Sequence, residues 1–567
     1  MINKEDLFLA RYFNKKNGIF LIALALAILF ASVIIMSLVP PVSRDELVHH
    51  LAVPKLYLRH GGIYEIPYMD FSYFPMNLDL LYMIPLYFGT DIVPKFIHFT
   101  FAILAAWLIY GYLKKRAGIV YGLSGALFFL TIPVILKLSI TAYVDLGVIF
   151  FSFASLLLVI RWLNEGFMKR YLLYAGVMCG MALGTKYSAI VAFALISLFI
   201  PFLFSRNAVD KKRLLSRSVL HFMVFFLTAI VVFSPWMIRN YHWKENPVYP
   251  LYNRVFNPPV QRSLENRAGN IEKRPVQNKG EFTYRGIVYG ESGLEIAMLP
   301  LRIFFQGKDD DPRLFDGRLN PFLLIFSVFA FFPNKKIAAT IRRENMIMAS
   351  FSCLYILIAM FTTAMRIRYI SPVIPPLTVL SMLGLKNLFE TGRERSSDFF
   401  KPVCGSFFVL LFLVSLAMNV SYGVELFNRV KPLQYIMGQV TRDEYIAGFI
   451  PEYPALKYIN KTLPVDSKIL FVYLGRRGYY CDRDYVTDDA LFTGAILTSD
   501  NPDMILSYLK KAGITHILVS LPLFDKWVKS NCPLSKQEML KLFFREYTIP
   551  AFYENGIGLN ELTERNM

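Results

Sequence analysis

Cysteine is scarce in this chain, with five residues in 567, and so is charge. Asp, Glu, Lys and Arg together make up 18%, against roughly 25% in soluble domains. Acidic residues are the scarcer sign, 42 against 61 basic ones, for a formal net charge of +19. So few cysteines exclude a disulfide framework or a zinc-ribbon array. A hydrophobic content of 55%, including 50 Phe and 33 Tyr, excludes disorder, and a soluble chain of this length could not cover that much apolar surface. A polytopic membrane protein remains.

The charge is unevenly spread. Residues 423–567 carry 17 basic and 17 acidic side chains, so the whole excess lies in 1–422, with 44 basic against 25 acidic. Two solvents are implied: a membrane body over 1–422 and a water-soluble domain over 423–567. A helix needs about 20 apolar residues to cross a bilayer. Such runs occur near 18–39, 94–113, 118–136, 143–162, 171–187, 188–204, 218–238, 319–333, 345–364, 368–388 and 402–422, predicting about eleven spans in a mainly α bundle. The first run follows Lys4, Arg11, Lys15 and Lys16 and reads as a retained anchor.

Alternate connections are basic: Lys114-Lys115-Arg116, then Arg161/Lys169/Arg170, Arg206/Lys211/Lys212/Arg213, Lys335/Lys336/Arg342/Arg343 and Lys386/Arg393/Arg395. The positive-inside rule then puts the N-terminus in the cytoplasm and the C-terminal domain outside. Two long outer loops follow, 40–93 and 239–318. Their semi-apolar stretches Phe71–Phe88 and Gly293–Phe305 are too short or too interrupted to span, and read as interfacial helices. The Arg/Lys-rich stretch 262–285 reads as a flexible outer loop.

Basic residues at the outer ends of spans go against this pattern. They are Arg44, Lys186 in Gly184-Thr185-Lys186-Tyr187, Arg239 in Arg239-Asn240-Tyr241, and Arg366 and Arg368 in Arg366-Ile367-Arg368-Tyr369. Ionisable groups near hydrocarbon are costly and usually mark a site. Arg forks and Lys point charges together suit a phosphate or pyrophosphate. Lys186 lies between two apolar runs, with Gly180 and Gly184 one turn apart for close packing, and requires a partner. Ser43-Arg44-Asp45-Glu46 opens a surface helix with the stripe Leu47, Leu51, Pro54 and Leu58. Ser43 and Glu46 fit a capping box. Asp45 and His49, like Glu46 and His50, stand four apart on one face. An outer carboxylate facing several cations has the makings of a general base beside an anion site.

At these motifs the chain resembles the GT-C superfamily of membrane glycosyltransferases, which use lipid-phosphate-linked sugars. Its relatives include the protein O-mannosyltransferases and the lipid A aminoarabinose transferase. The matching residues begin with Arg44-Asp45-Glu46-Leu47-Val48-His49-His50, Pro54-Lys55 and Phe74-Pro75-Met76-Asn77 with Leu81-Tyr82. They continue with Gly184-Thr185-Lys186-Tyr187, Pro235-Trp236-Met237-Ile238-Arg239-Asn240, Asn246-Pro247-Val248-Tyr249-Pro250, and Arg368-Tyr369 with Pro372 and Pro375. The resemblance covers about residues 18–420.

It implies transfer of a sugar from a polyprenyl-phosphate donor to a lipid, glycan or protein acceptor at the outer face of the plasma membrane. In that scheme Asp45 is the general base that acts on the acceptor, with Glu46 beside it. Lys186, Arg239, Lys55 and Arg368 hold the donor phosphate, and His49, Tyr187, Asn240 and Tyr249 line the substrate. One carboxylate among cations suits direct inverting displacement, whereas retaining hydrolases need two flanking carboxyl groups. No particular cofactor is implied, and metal binding is open: His49, His50 and His242 with Asp45 or Glu46 could hold a divalent ion. Nucleic acid is not an expected partner. The rival reading is a lipid-linked sugar flippase or polytopic transporter, with Asp145 as its buried acid. No internal repeat of the transporter kind is evident.

In the C-terminal domain, 468–473 and 515–520 read as buried strands flanking a helix over 502–512, a small α/β unit. Cys481 and Cys532 fall outside the membrane, where a disulfide is chemically allowed.

Overall fold

The computed structural model describes residues 15–208, 212–258, 281–334, 338–362, 365–395, 401–487 and 489–564. Lys4, Arg11, Lys211, Lys335 and Lys336, and residues 262–280 of the 262–285 stretch, lie outside the described residues, while its last five residues begin the helix Glu281–Tyr289. All eleven apolar runs coincide with helix, but not all are long. Among the described residues, eight helices are long and apolar enough to span, from Lys16–Ser37 to Gly405–Val430, and a ninth counts if one bent pair is a single span. That pair, Ile119–Thr131 and Pro133–Ser139, meets at 70°. Pro133 explains the break, since it lacks an N–H and forces Ile132 out of helical geometry, to ψ 129°.

The expected count of eleven is therefore reduced. The run 171–187 is a 15-residue helix, Lys169–Leu183, and 319–333 contains Phe322–Val328 followed by a 3-10 turn, Phe329–Phe331. The run 171–187 ends early because Gly184–Ser188 makes the turn into the next helix. Neither semi-apolar stretch of the outer loops spans: Asn77–Tyr87 has 11 residues, and 293–305 splits into Gly293–Ala297 and Leu299–Phe305.

The basic connections meet at one end of the bundle around a single acid. Glu344 accepts from Arg116 at 2.6 and 2.7 Å, from Tyr112 at 2.5 Å and from Asn164 at 2.5 Å. Arg343 donates to Asn164 and Asn207, and Lys386 to the carbonyl of Arg116. All five basic connections are thus tied together there, through Arg116, Asn164, Asn207, Arg343 and Lys386. The loop 40–93 and the C-terminal domain occupy the other end.

The C-terminal domain is a five-stranded sheet with helices packed against it. The strands are β1 (Lys468–Val472), β2 (Asp484–Val486), β3 (His516–Ser520), β4 (Thr548–Glu554) and β5 (Ile557–Leu562). Their order is β2-β1-β3-β5-β4, parallel across β2-β1-β3 and antiparallel across β3-β5-β4. Successive strand side chains point to opposite faces, which gives the domain two cores. Leu470, Val472, Ile517 and Val519 pack with the domain's own helices. Ile469, Phe471, Leu518 and Leu559 share a core with Leu47, Leu51 and Tyr57 of the first loop. The stripe expected on a surface helix is accordingly buried under this domain. Cys481 and Cys532 are unbridged, and each belongs to a different one of these two cores.

Candidate active site

The chain leaves its first helix at Ser37, and the segment after it turns tightly. Glu46–His50 forms a wide π-type turn, closed by the Leu51 N–H on the Glu46 carbonyl at 2.9 Å. Such turns are frequent at functional sites, and here the wider turn shifts the expected i,i+4 pairing. Glu46 does not meet His50. Its carboxylate accepts from the Ser43 N–H at 2.9 Å and the Ala142 N–H at 2.6 Å. It is 1% exposed, and burial pushes its pKa up, against the pull of Lys95. Of the expected capping box, the return bond from the Ser43 N–H to the Glu46 carboxylate is present. Glu46 therefore ties this loop to the turn before helix Asp145–Asn164.

Asp45 points the other way. Its carboxylate is ion-paired with the Arg368 guanidinium, which lies over the rings of Tyr143 at 5.6 Å and Tyr369 at 5.3 Å. Lys186 stands over the same Tyr369 ring at 5.7 Å. Its partner is Asp145, at 2.7 Å, the first residue of its helix, where a negative charge is favoured by the helix dipole. Burial alone would raise the Asp45 pKa. Arg368 and the imidazoles of His49 and His50 outweigh it and hold the carboxyl below the usual range.

His50 Nδ1 bonds Asp79 Oδ1 at 2.7 Å. Burial pushes Asp79 up to about 7 and His50 down to about 3, so this pair holds a single proton on the acid side of neutrality. The His49 ring stacks on Phe71 at 4.5 Å and lies 4.0 Å from the His50 ring. The histidine trio does not assemble as a metal site, because His242 is exposed on another helix. Among the described residues no group of three or more His, Cys, Asp or Glu is arranged to hold an ion.

Arg239 is one aromatic layer away. Phe71 packs against Phe74 at 5.4 Å, and Arg239 donates to the Phe74 carbonyl at 3.2 Å while lying between Trp236 and Trp243 at 4.5 and 4.9 Å. Asn240 is a buried clamp, donating to the carbonyls of Tyr73 and Tyr249 and to the Tyr187 hydroxyl. Tyr187 in turn donates to Tyr249 O at 3.0 Å. These three hold the second loop in place behind Arg239. The Gly184 motif closes the assembly: a Cβ on Gly184 would sit 2.3 Å from Asn77 Nδ2. Asn77 N–H donates to Gly184 O at 2.8 Å, and Trp236 donates to Asn77 Oδ1 at 2.8 Å.

The structure thus brings Asp45, His49, Lys186 and Arg368 together, with Arg239 adjoining. It does not bring Lys55, which donates to Tyr479 O at 2.7 Å and Asp482 at 2.6 Å in the C-terminal domain. Sequence reasoning did not assign Asp145, Asp79, Tyr143 or Tyr369 to the site. An acid at the tip of an apolar run was the available signal for Asp145. Buried atoms without a protein hydrogen-bond partner gather here: His49 Nδ1, His50 Nε2, Asp145 Oδ2, Arg239 Nη1 and Arg368 Nε. Buried polar groups are normally paired, so this concentration marks a place for a polar ligand.

A profile of the family described as dolichyl-phosphate-mannose-protein mannosyltransferase matches residues 88–238. The resemblance to GT-C membrane glycosyltransferases is borne out, since the chain has their polytopic fold. The crystal structure of ArnT from Cupriavidus metallidurans bound to undecaprenyl phosphate is similar over 96% of this chain and 97% of its own, at 14% identity and a TM-score of 0.51. Its apo state gives 0.52 over 95% and 97%, also at 14% identity. The Archaeoglobus fulgidus oligosaccharyltransferase tethered to an acceptor peptide is similar over 96% of this chain and 74% of its own, at 12% identity and 0.51. No curated protein matches the sequence.

Proposed function

We propose that this protein is an integral membrane glycosyltransferase that moves a sugar from a polyprenyl-phosphate donor to an acceptor hydroxyl, with inversion. The observation that carries this is the Asp45–Arg368 pair beside Lys186 and Asp145, with buried, unpartnered N–H groups on Arg368 and on the adjoining Arg239. The undecaprenyl phosphate bound by the ArnT structure of the same fold supports the donor class. The basic connections gathered around Glu344 support an extracytoplasmic site in the plasma membrane, at the opposite end of the bundle.

In this reading Lys186, Arg239 and Arg368 meet the phosphate. The acceptor oxygen attacks the anomeric carbon as the carbon–oxygen bond to phosphate breaks, and the departing charge falls on fixed cations. Asp45 takes the acceptor proton. A carboxylate held by Arg368 is a weak base, and an arriving phosphate that shares Arg368 loosens that hold where basicity is needed. Glu46 keeps the loop in place, and Lys55 keeps the C-terminal domain on it. The test is transfer from labelled polyprenyl-phosphate sugars in proteoliposomes. Undiminished transfer by Asp45→Asn would remove Asp45 from the mechanism.

A further inference from the structure

Behind the segment that carries Asp45 lies a cleft of about 550 Å³ between the first loop and the C-terminal domain. That volume falls within the roughly 300–1,000 Å³ of small-ligand sites. Its walls combine Tyr87, Tyr453, Tyr480 and Asn460 with charged residues of both signs. Each cation there has an acid partner: Lys55 with Asp482 at 2.6 Å, Arg59 with Asp484 at 3.7 Å, Lys457 with Asp443 at 2.5 Å, and Arg442 with Asp91 at 2.5 Å.

Paired charges leave little net field to draw an anion, yet they fix many donors and acceptors in place. Tyrosine rings add flat apolar faces: Tyr453 and Tyr480 lie 5.2 Å apart and Tyr87 is 75% exposed. Flat apolar faces beside dense, oriented polar groups suit a sugar ring, which has an apolar C–H face and a rim of hydroxyls. A peptide adding as a strand needs free main-chain groups. Here the Tyr479 carbonyl is taken by Lys55 and the Tyr480 carbonyl by Asn460.

The cleft is mechanically joined to the site. The Tyr479 N–H donates to Leu47 O at 3.1 Å, and the Tyr480 hydroxyl to Pro41 O at 2.7 Å, on either side of Asp45. We infer that this cleft binds neutral sugar residues of a glycan-bearing acceptor and anchors it beside the base. The acceptor role rests on the proposed transferase reading; the binding of saccharide does not.

The experiment is therefore a binding measurement. Full-length protein in nanodiscs is titrated with chitotetraose, mannotetraose and galactotetraose. Parallel arms use inorganic phosphate, phosphatidylglycerol vesicles and a Ser/Thr-rich peptide. At least one tetrasaccharide should bind, at least tenfold more weakly to Tyr87→Ala and Tyr453→Ala and undiminished to Asp45→Asn. The exposed Tyr87 can be removed without disturbing the core. No tetrasaccharide binding, binding that survives both tyrosine substitutions, or binding confined to phosphate, vesicles or peptide would overturn the inference. Binding as expected with no sugar transfer in proteoliposomes would instead sink the transferase reading alone.

Discussion

Arg368 reaches back 323 positions to hold the carboxylate of Asp45, while its guanidinium covers Tyr369, the ring that Lys186 also faces. The pair makes acid tolerance a property of Arg368. Asp45 must be ionised to take a proton, and Arg368 keeps it ionised below the ordinary carboxylate range. The acid limb of kcat/KM in wild type therefore lies at low pH. In Arg368→Ala the limb should move to higher pH, toward a normal or burial-raised carboxyl, whereas Arg368→Lys should largely keep it in place. Asp45→Asn should lower transfer by about 10²–10⁴-fold. A pH–rate series on the three variants checks this, and an unmoved limb in Arg368→Ala would contradict it.

Lys186 is aimed by a contact two residues from it, at Gly184. A methyl group on Gly184 would meet Asn77 Nδ2 at 2.3 Å and push away the side chain that accepts from Trp236. Gly184→Ala should cost about 1–3 kcal/mol of stability from overpacking. It should also weaken donor use through displaced Lys186 and Arg239. Gly180→Ala is the comparison: its Cβ would meet Ala229 O and Val232 at 2.6 Å, in the packing between helices and away from Asn77. Thermal unfolding should report both variants, and the larger donor KM effect should belong to Gly184.

Much of this was readable in the sequence because it follows from solvent. Apolar runs, the neutral C-terminal segment and misplaced cations at span tips are each consequences of the bilayer. β1 and β3 stand out for the same reason, as short buried runs at 468–472 and 516–520. The pairings were not readable. Spacing alone pairs Glu46 with His50, and only the π-type turn directs it to Ala142 and leaves His50 to Asp79. Lys55 sits in the matching motif, yet its partner is 427 positions away in another domain. One local signal was passed over: Asn555-Gly556, both at positive φ, is the strongest short-range hairpin cue and joins β4 to β5.

Glu344 fastens the far end of the bundle. Its side chain is 1% exposed and receives Arg116, Tyr112 and Asn164. Glu344→Gln leaves a half-buried guanidinium without its charge partner, a loss of about 3–5 kcal/mol for breaking a buried pair. The variant should melt earlier in detergent. Its donor KM should change less than that of Gly184→Ala, because Glu344 is remote from Asp45 and Lys186. A donor KM effect as large as that of Gly184→Ala would mean the two ends are not mechanically separate.

The His50–Asp79 pair makes a sharper demand on pH. Folded, it carries one proton across the acidic range, since burial lifts Asp79 to about 7 and depresses His50 to about 3. Unfolded, the two groups also carry one proton between pH ~4 and ~6.5, on the imidazole. Equal proton counts give no slope of stability against pH. Removing either partner exposes the other. In Asp79→Asn the folded imidazole stays neutral while the unfolded one binds a proton, so stability should fall as pH drops below about 6.5. In His50→Gln the buried carboxyl stays protonated when folded and ionises when unfolded, so stability should fall as pH rises above about 4. Melting midpoints between pH 4 and 7 should therefore tilt in opposite directions relative to wild type. Other titrating groups are common to all three proteins and drop out of the difference, so parallel tilts would mean that the pair does not share its proton.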